Sequence, residues 1–197
     1  VSNGGVLAKV SKDGVEILHR EIFDPSSALT ALREQLPTAK YALENERGEF
    51  LSSETFGDMS FGAESRVVDF GELVNSKAVR VVVFSTDNTA EEFGHAVQSL
   101  GLSGVTYSVG WTAWLDIAAD GTTKASGLER LRAVLDFHAD DTLAVGDGRN
   151  DIEMLQWAGH GVAMGQAPDE VKDAADAVTE HVDADGLALV LEGLLAG

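Results

Sequence analysis

The sequence predicts an α/β protein, a Rossmann-like, doubly wound parallel-sheet core joined to a second domain of α+β type. Three observations carry this. After Ala118, helical and strand-like stretches alternate, the pattern of a parallel sheet covered by helices. Before it, paired β-branched runs flank amphipathic helices without that alternation. Finally, Leu143-Ala-Val-Gly146-Asp147-Gly148-Arg149-Asn150-Asp151 joins a short apolar strand to a helix through a turn of glycines and acids. Open α/β sheets bind ligands at such carboxyl strand ends.

The elements follow in order. Val6–Val10 and Val15–Phe23 read as strands joined at Asp13-Gly14, a hairpin signal. Asp24-Pro25 opens a helix carrying Ala28, Leu29, Leu32 and Leu36, which stops near Pro37. Tyr41–Leu51 reads as a second hairpin turning at Arg47-Gly48. Residues 52–69, with Phe56, Gly57, Phe61 and Gly62, read as loop with brief helix, and Glu72–Asn75 as one helical turn. Ala78–Phe84 is β-branched and therefore a strand. Thr89 caps a helix running to Leu100, with Glu92 at the capping-box position. Val105–Val109 and Trp111–Ile117 pair around Gly110. Trp111 and Trp114 read as core residues rather than a sugar platform. A helix over 126–137 leads to the strand at 142–145, and Asp151 opens the next helix. Strands at Val162 and at Val178-Thr179 bracket a helix over 169–175, and Asp185-Gly186 opens the last one.

Composition excludes several function classes. The net charge of −19 opposes binding to a nucleic-acid backbone, which needs clustered Lys and Arg. No apolar run is long enough to span a bilayer, and no basic stretch precedes an apolar one at the N-terminus. With no cysteine, disulfides and thiolate metal sites are excluded, which favours a cytoplasmic location. The five histidines have no ligand-like spacing.

The acidic turn itself admits several readings. Asp147 and Asp151, four residues apart with Asn150 between them, suit a hard cation with oxygen ligands such as Mg²⁺. An EF-hand counted from Asp147 would need Gly and Glu where Ile152 and Ala158 stand. A dinucleotide fingerprint would need a third glycine where Asp151 stands. The bland alternative is a polar turn with one helix-capping carboxylate.

Gly146-Asp147-Gly148-Arg149-Asn150-Asp151-Ile152-Glu153-Met154 resembles the fourth motif, G-D-x-x-N-D-x-x-M, of the haloacid dehalogenase (HAD) superfamily, in its Cof-type phosphatase branch. Gly161-Val-Ala-Met-Gly165, Ala167-Pro-Asp-Glu-Val-Lys172, Ala177-Val-Thr179 and Asp185-Gly186 follow in that branch's order. Upstream, Thr123-Lys124-Ala-Ser-Gly127-Leu128 resembles the third motif, and Ser2-Asn3-Gly4-Gly5 the segment where the cap departs. The resemblance implies a HAD-like core, residues 1–4 and 119–197, with an inserted α+β cap, residues 5–118.

It also implies Mg²⁺-dependent hydrolysis of a small phosphorylated metabolite, such as a sugar phosphate, through an aspartyl-phosphate. Asp147 would bind the metal, joined by Asp151, which would otherwise orient a metal-bound water or the catalytic lysine. Lys124 would neutralise the phosphoryl group, and Asn150, Ser2 and Asn3 would contact phosphate or substrate. The family's nucleophile lies in a D-x-D-G-T motif, and its second motif is T-G-R; neither is present. Asp183-Ala-Asp185-Gly186 is no substitute, because Leu187 replaces the Thr and no buried strand precedes it. The chain is therefore expected to lack the strands that carry the nucleophile. The alternative is an inactive fragment or a small-ligand-binding module of the same fold. No nucleic-acid or membrane partner is expected, and oligomeric state is left open.

Overall fold

The computed structural model describes residues 1–55, 65–110 and 112–195. The chain divides into two units, Val1–Thr122 and Thr123–Gly197. This division falls a few residues past the expected one at 118/119, and residues 1–4, expected with the core, lie in the first unit.

The first unit begins with a 3-10 turn at Ser2–Gly4 and an antiparallel hairpin, β1 (Val6–Ser11) and β2 (Gly14–Arg20). Ser11 pairs with Gly14, so the chain reverses at Asp13-Gly14. In helix α1 (Ser26–Gln35), Asp24 Oδ1 accepts the Ser26 amide at 3.0 Å, and the buried face carries Ala28, Leu29 and Leu32. Strands β3 (Lys40–Asn45) and β4 (Phe50–Ser52) form the second hairpin. Asn45 Oδ1 shapes its turn by accepting the amides of Arg47 and Glu49, both at 2.9 Å.

A short strand, β5 (Arg66–Val67), pairs in parallel with β4 inside the stretch expected to be loop. The expected features at Phe56, Gly57, Phe61, Gly62 and Trp111 lie outside the described residues. Helix α2 (Phe70–Val74), strand β6 (Ala78–Phe84), helix α3 (Ala90–Leu100) and strands β7 (Val105–Val109) and β8 (Trp114–Ala119) complete the unit. The α3 cap is the expected reciprocal one: Thr89 Oγ1 accepts the Glu92 amide at 3.2 Å, and Glu92 Oε2 accepts the Thr89 amide at 2.9 Å.

These strands make one sheet in the order β5-β4-β3-β6-β8-β7, antiparallel except for β4 and β5. Alternation sends Tyr41, Leu43, Val81, Val83, Leu115 and Ile117 into one cluster with Leu29, Leu32, Leu73, Phe93 and Val97 of the helices. Each such fully buried side chain contributes roughly 1.5–3 kcal/mol. Ala42 and Val82 form a smaller cluster with Phe50 and Trp114. Trp114 is half-buried there, and its indole N–H donates to Asp116 Oδ2 at 2.9 Å.

The second unit alternates as its sequence predicts: α4 (Lys124–Leu135), β9 (Leu143–Gly146), α5 (Ile152–Trp157), β10 (His160–Ala163), α6 (Asp169–Lys172), β11 (Ala177–Val178) and α7 (Gly186–Leu195). The strands are parallel in the order β11-β10-β9, in register from His160 opposite Leu143 to Ala163 opposite Gly146. Ala144, Leu155, Ala163, Ala167 and Val171 form the core of this unit. Helix α4 starts before the expected Ser126 because Thr123 and Ser126 cap each other's backbone amides. No helix among the described residues is long and apolar enough to cross a membrane.

Candidate active site

Strand β9 ends at Gly146, and the chain turns through Asp147-Gly148 into a 3-10 turn at Arg149–Asp151 before α5. Asp151 closes this turn on itself. Its Oδ2 accepts the amides of Asp147 at 3.0 Å and Gly148 at 2.9 Å. Gly146 makes the approach possible, since a Cβ there would stand 2.5 Å from the Asp151 Cβ.

The other oxygen of that carboxylate, Oδ1, accepts from the Lys124 ammonium. Lys124 is the first residue of α4, directly after the Thr123 cap, where the helix dipole disfavours a cation. Asp151 offsets this with a charge-assisted bond. The Asp151 side chain is 6% exposed and that of Lys124 33%, so the acid is buried and the lysine side chain is half-buried. Lys124 thus remains reachable by a ligand while its position is fixed.

Asp147 is half-buried at the mouth of the same turn. Its Oδ2 accepts from Gln166 Nε2 at 3.0 Å, and among the described residues its Oδ1 accepts no hydrogen bond. The half-buried Asn150 side chain folds over Gly148, where a Cβ would sit 2.6 Å from Asn150 Oδ1. One turn thereby gathers Lys124, Asp147, Asn150 and Asp151, four of the six residues singled out from the sequence. Ser2 and Asn3 lie in the first unit, both with left-handed φ, 49° and 57°. Ser2 Oγ donates to Glu44 Oε2 at 2.6 Å.

Sequence reasoning passed over Gln166 and Glu44. Neither sits at a periodic position or in a carboxylate pair, so only their neighbours in space mark them. The D-x-D-G at 183–186 is no active-site strand: a 3-10 turn, Val182–Ala184, precedes Asp185, which is exposed with a left-handed φ of 57°. All five histidines are exposed.

No group of three or more His, Asp or Glu side chains that could hold a metal occurs among the described residues. The donor chemistry of the turn is of the kind Mg²⁺ takes. That ion is commonly held by one or two carboxylates and completed by water and phosphate oxygens, and Asp147 Oδ1 is one such donor. The two expectations for Asp151 are not equally served. Both its oxygens are engaged, one by Lys124 and one by two amides, which favours a lysine partner over a metal ligand.

A family model described as haloacid dehalogenase-like hydrolase matches residues 11–191. The chain belongs to the haloacid dehalogenase-like hydrolases. Among curated relatives of this hydrolase family, the phosphatase YwpJ of Bacillus subtilis is 41% identical over 80 residues, which are 41% of this chain and 28% of the relative. The matches to YkrA of Bacillus subtilis and to a relative from Haemophilus influenzae span 31% and 30% of those proteins, under a third. The fold is shared with SMU.1108c of Streptococcus mutans, at a TM-score of 0.81 and 23% identity over 99% of this chain and 75% of that one. It is also shared with BT4131, described as a HAD subclass IIB sugar phosphatase, at a TM-score of 0.77 and 23% identity over 98% and 73%.

Proposed function

We propose that this haloacid dehalogenase-like chain forms the cap, residues 5–118, and part of the core, residues 1–4 and 119–197, of a Mg²⁺-dependent phosphatase. Its substrate is a small phosphorylated metabolite, a sugar phosphate or similar. The reading rests above all on one arrangement: the Lys124 ammonium, held by buried Asp151, lies on the same turn system as the open oxygen of Asp147.

The chemistry follows from charge. A phosphate ester is anionic, and phosphoryl transfer depends mainly on positioning and on neutralising the phosphoryl oxygens. Lys124 supplies a fixed positive charge, which Asp151 prevents from rotating away into solvent. Asn150 offers an amide donor for a phosphate oxygen, and Ser2 and Asn3 offer polar contacts to substrate. Mg²⁺, held at Asp147, would neutralise further negative charge on the phosphate.

The bond-making group implied by the family resemblance is the aspartate of a D-x-D-G-T motif, which these 197 residues do not contain. It attacks phosphorus, the alcohol departs with a proton, and water then hydrolyses the aspartyl-phosphate to inorganic phosphate. Phosphatase names among the relatives support the reading, as does a sugar phosphatase of the same fold.

The test is a chain extended at its N-terminus by strands bearing D-x-D-G-T, assayed on a panel of sugar phosphates with Mg²⁺. Lys124→Ala should lower kcat by about 10²–10³, the range for removing one preorganised charge-stabilising group. Turnover untouched by Lys124→Ala and by Asp147→Asn would overturn the proposal.

A further inference from the structure

The loop leaving β10 passes close to the loop leaving β11. The Gly165 amide donates to Glu180 O at 3.1 Å, and a Cβ on Gly165 would stand 2.6 Å from the His181 nitrogen. This contact carries the next residue, half-buried Gln166, between two partners. Its Oε1 accepts the Val182 amide at 3.0 Å, and its Nε2 donates to Asp147 Oδ2 at 3.0 Å. The orientation of the side-chain amide is not arbitrary. A backbone N–H is only a donor and a carboxylate only an acceptor, so both bonds form in one of the two flips alone.

We propose that Gln166 is a positioning residue: anchored by the Val182 backbone, it holds the Asp147 carboxylate in one rotamer and leaves Oδ1 directed at a bound cation. The inference rests on Asp147 being the cation-binding residue. Outer partners of this kind fix a ligating carboxylate, and their loss typically lowers metal affinity about 10–100-fold. Gln166 also occupies Oδ2 with a neutral donor, so the carboxylate keeps its charge for the cation.

The experiment uses the 197-residue chain labelled with ¹⁵N and ¹³C and titrated with Mn²⁺ as the probe. Line broadening of the Asp147 and Gly148 amides gives a local dissociation constant, and three-bond couplings give the Asp147 χ1. In the wild type, saturable broadening that Asp147→Asn removes is expected, with one χ1 rotamer. Gln166→Leu should weaken Mn²⁺ about tenfold and average the Asp147 couplings. Gln166→Glu keeps the acceptor for Val182 and replaces the donor to Asp147 with a carboxylate oxygen that repels it. It should leave the Val182 amide resonance in place and still release the Asp147 torsion, which a merely structural role would not do. A single fixed Asp147 rotamer in both variants, or unchanged Mn²⁺ affinity in Gln166→Leu, overturns the inference while Asp147 stands. Wild-type broadening that is absent, or that survives Asp147→Asn, removes the metal reading of Asp147 and this inference with it.

Discussion

The Lys124 ammonium and the Asp151 carboxylate, 27 positions apart in sequence, form an ion pair whose acid is buried and whose base is half-buried. That asymmetry determines what each partner does when removed. Asp151 also accepts two turn amides, so Asp151→Ala strands those donors and the lysine together. Lys124→Met leaves a carboxylate still bonded to two amides. Asp151→Ala should therefore cost about 2–3 kcal/mol, charge-assisted bonds being worth roughly 1.5–3 kcal/mol each and partly replaced by water here. Lys124→Met should cost less, about 1 kcal/mol, because the two turn amides still satisfy the buried carboxylate. Urea unfolding of both variants checks the order, and equal losses would show that the turn amides contribute nothing.

A pH-dependent contribution comes from the face joining α4 to α5. Bonds from Arg132, then from the Trp157 indole, hold the Glu129 carboxyl down to about 2. A depressed folded-state pKa stabilises the fold above the ordinary Glu value and loses that contribution as pH falls towards the folded one. Wild-type stability should accordingly decline between about pH 4.5 and 2 through this group. Glu129→Gln should flatten that part of the profile while changing stability little in shape above pH 6. Parallel acid limbs for the two proteins would refute it.

The first unit should fold alone. Its sheet, three helices and buried cluster all lie within Val1–Thr122, so no residue beyond Thr122 is needed to complete that core. A polypeptide of residues 1–122 should give a mixed helix–strand CD spectrum and a cooperative thermal transition. A coil spectrum would show that the core depends on the rest of the chain.

Legibility in the sequence followed the range of the interactions. Strand β6 and the Thr89 cap were readable because β-branching and Thr-x-x-Glu spacing act between near neighbours. The β5 pairing was not, since two residues carry no periodicity and only β4 defines them as a strand. The start of α4 was missed for a related reason, its cap being a Thr–Ser pair that lacks the acid of the usual box. In the site, Asp147, Asn150 and Asp151 were visible as a local motif, and Lys124 through family resemblance. Which oxygen goes where was not visible: the lysine takes Asp151 and Gln166 takes Asp147 across 27 and 19 positions of sequence, and no local pattern encodes those partners.

The last prediction separates metal binding from capping at Asp147. A capping carboxylate accepts backbone amides at the start of a helix; here Asp151 does that, and among the described residues Asp147 accepts from Gln166 alone. Asp147→Asn keeps an oxygen for Gln166 Nε2 and places its new NH₂ where Oδ1 stood. An acceptor becomes a donor at the open position, with no internal bond lost. Metal-free stability should thus stay within about 0.5 kcal/mol, the range for substitutions away from such features. In a chain extended by the nucleophile-bearing strands, saturating Mg²⁺ should stabilise the wild type by on the order of 1–3 kcal/mol through mass action. The Asp147→Asn variant should gain nothing. If Asp147 were merely a cap, its loss would cost about 1 kcal/mol without metal and leave the Mg²⁺ response unaltered. Thermal unfolding of both proteins with and without Mg²⁺ decides. Equal Mg²⁺ shifts would remove Asp147 from the metal site and leave phosphate chemistry here resting on the Lys124–Asp151 pair and Asn150.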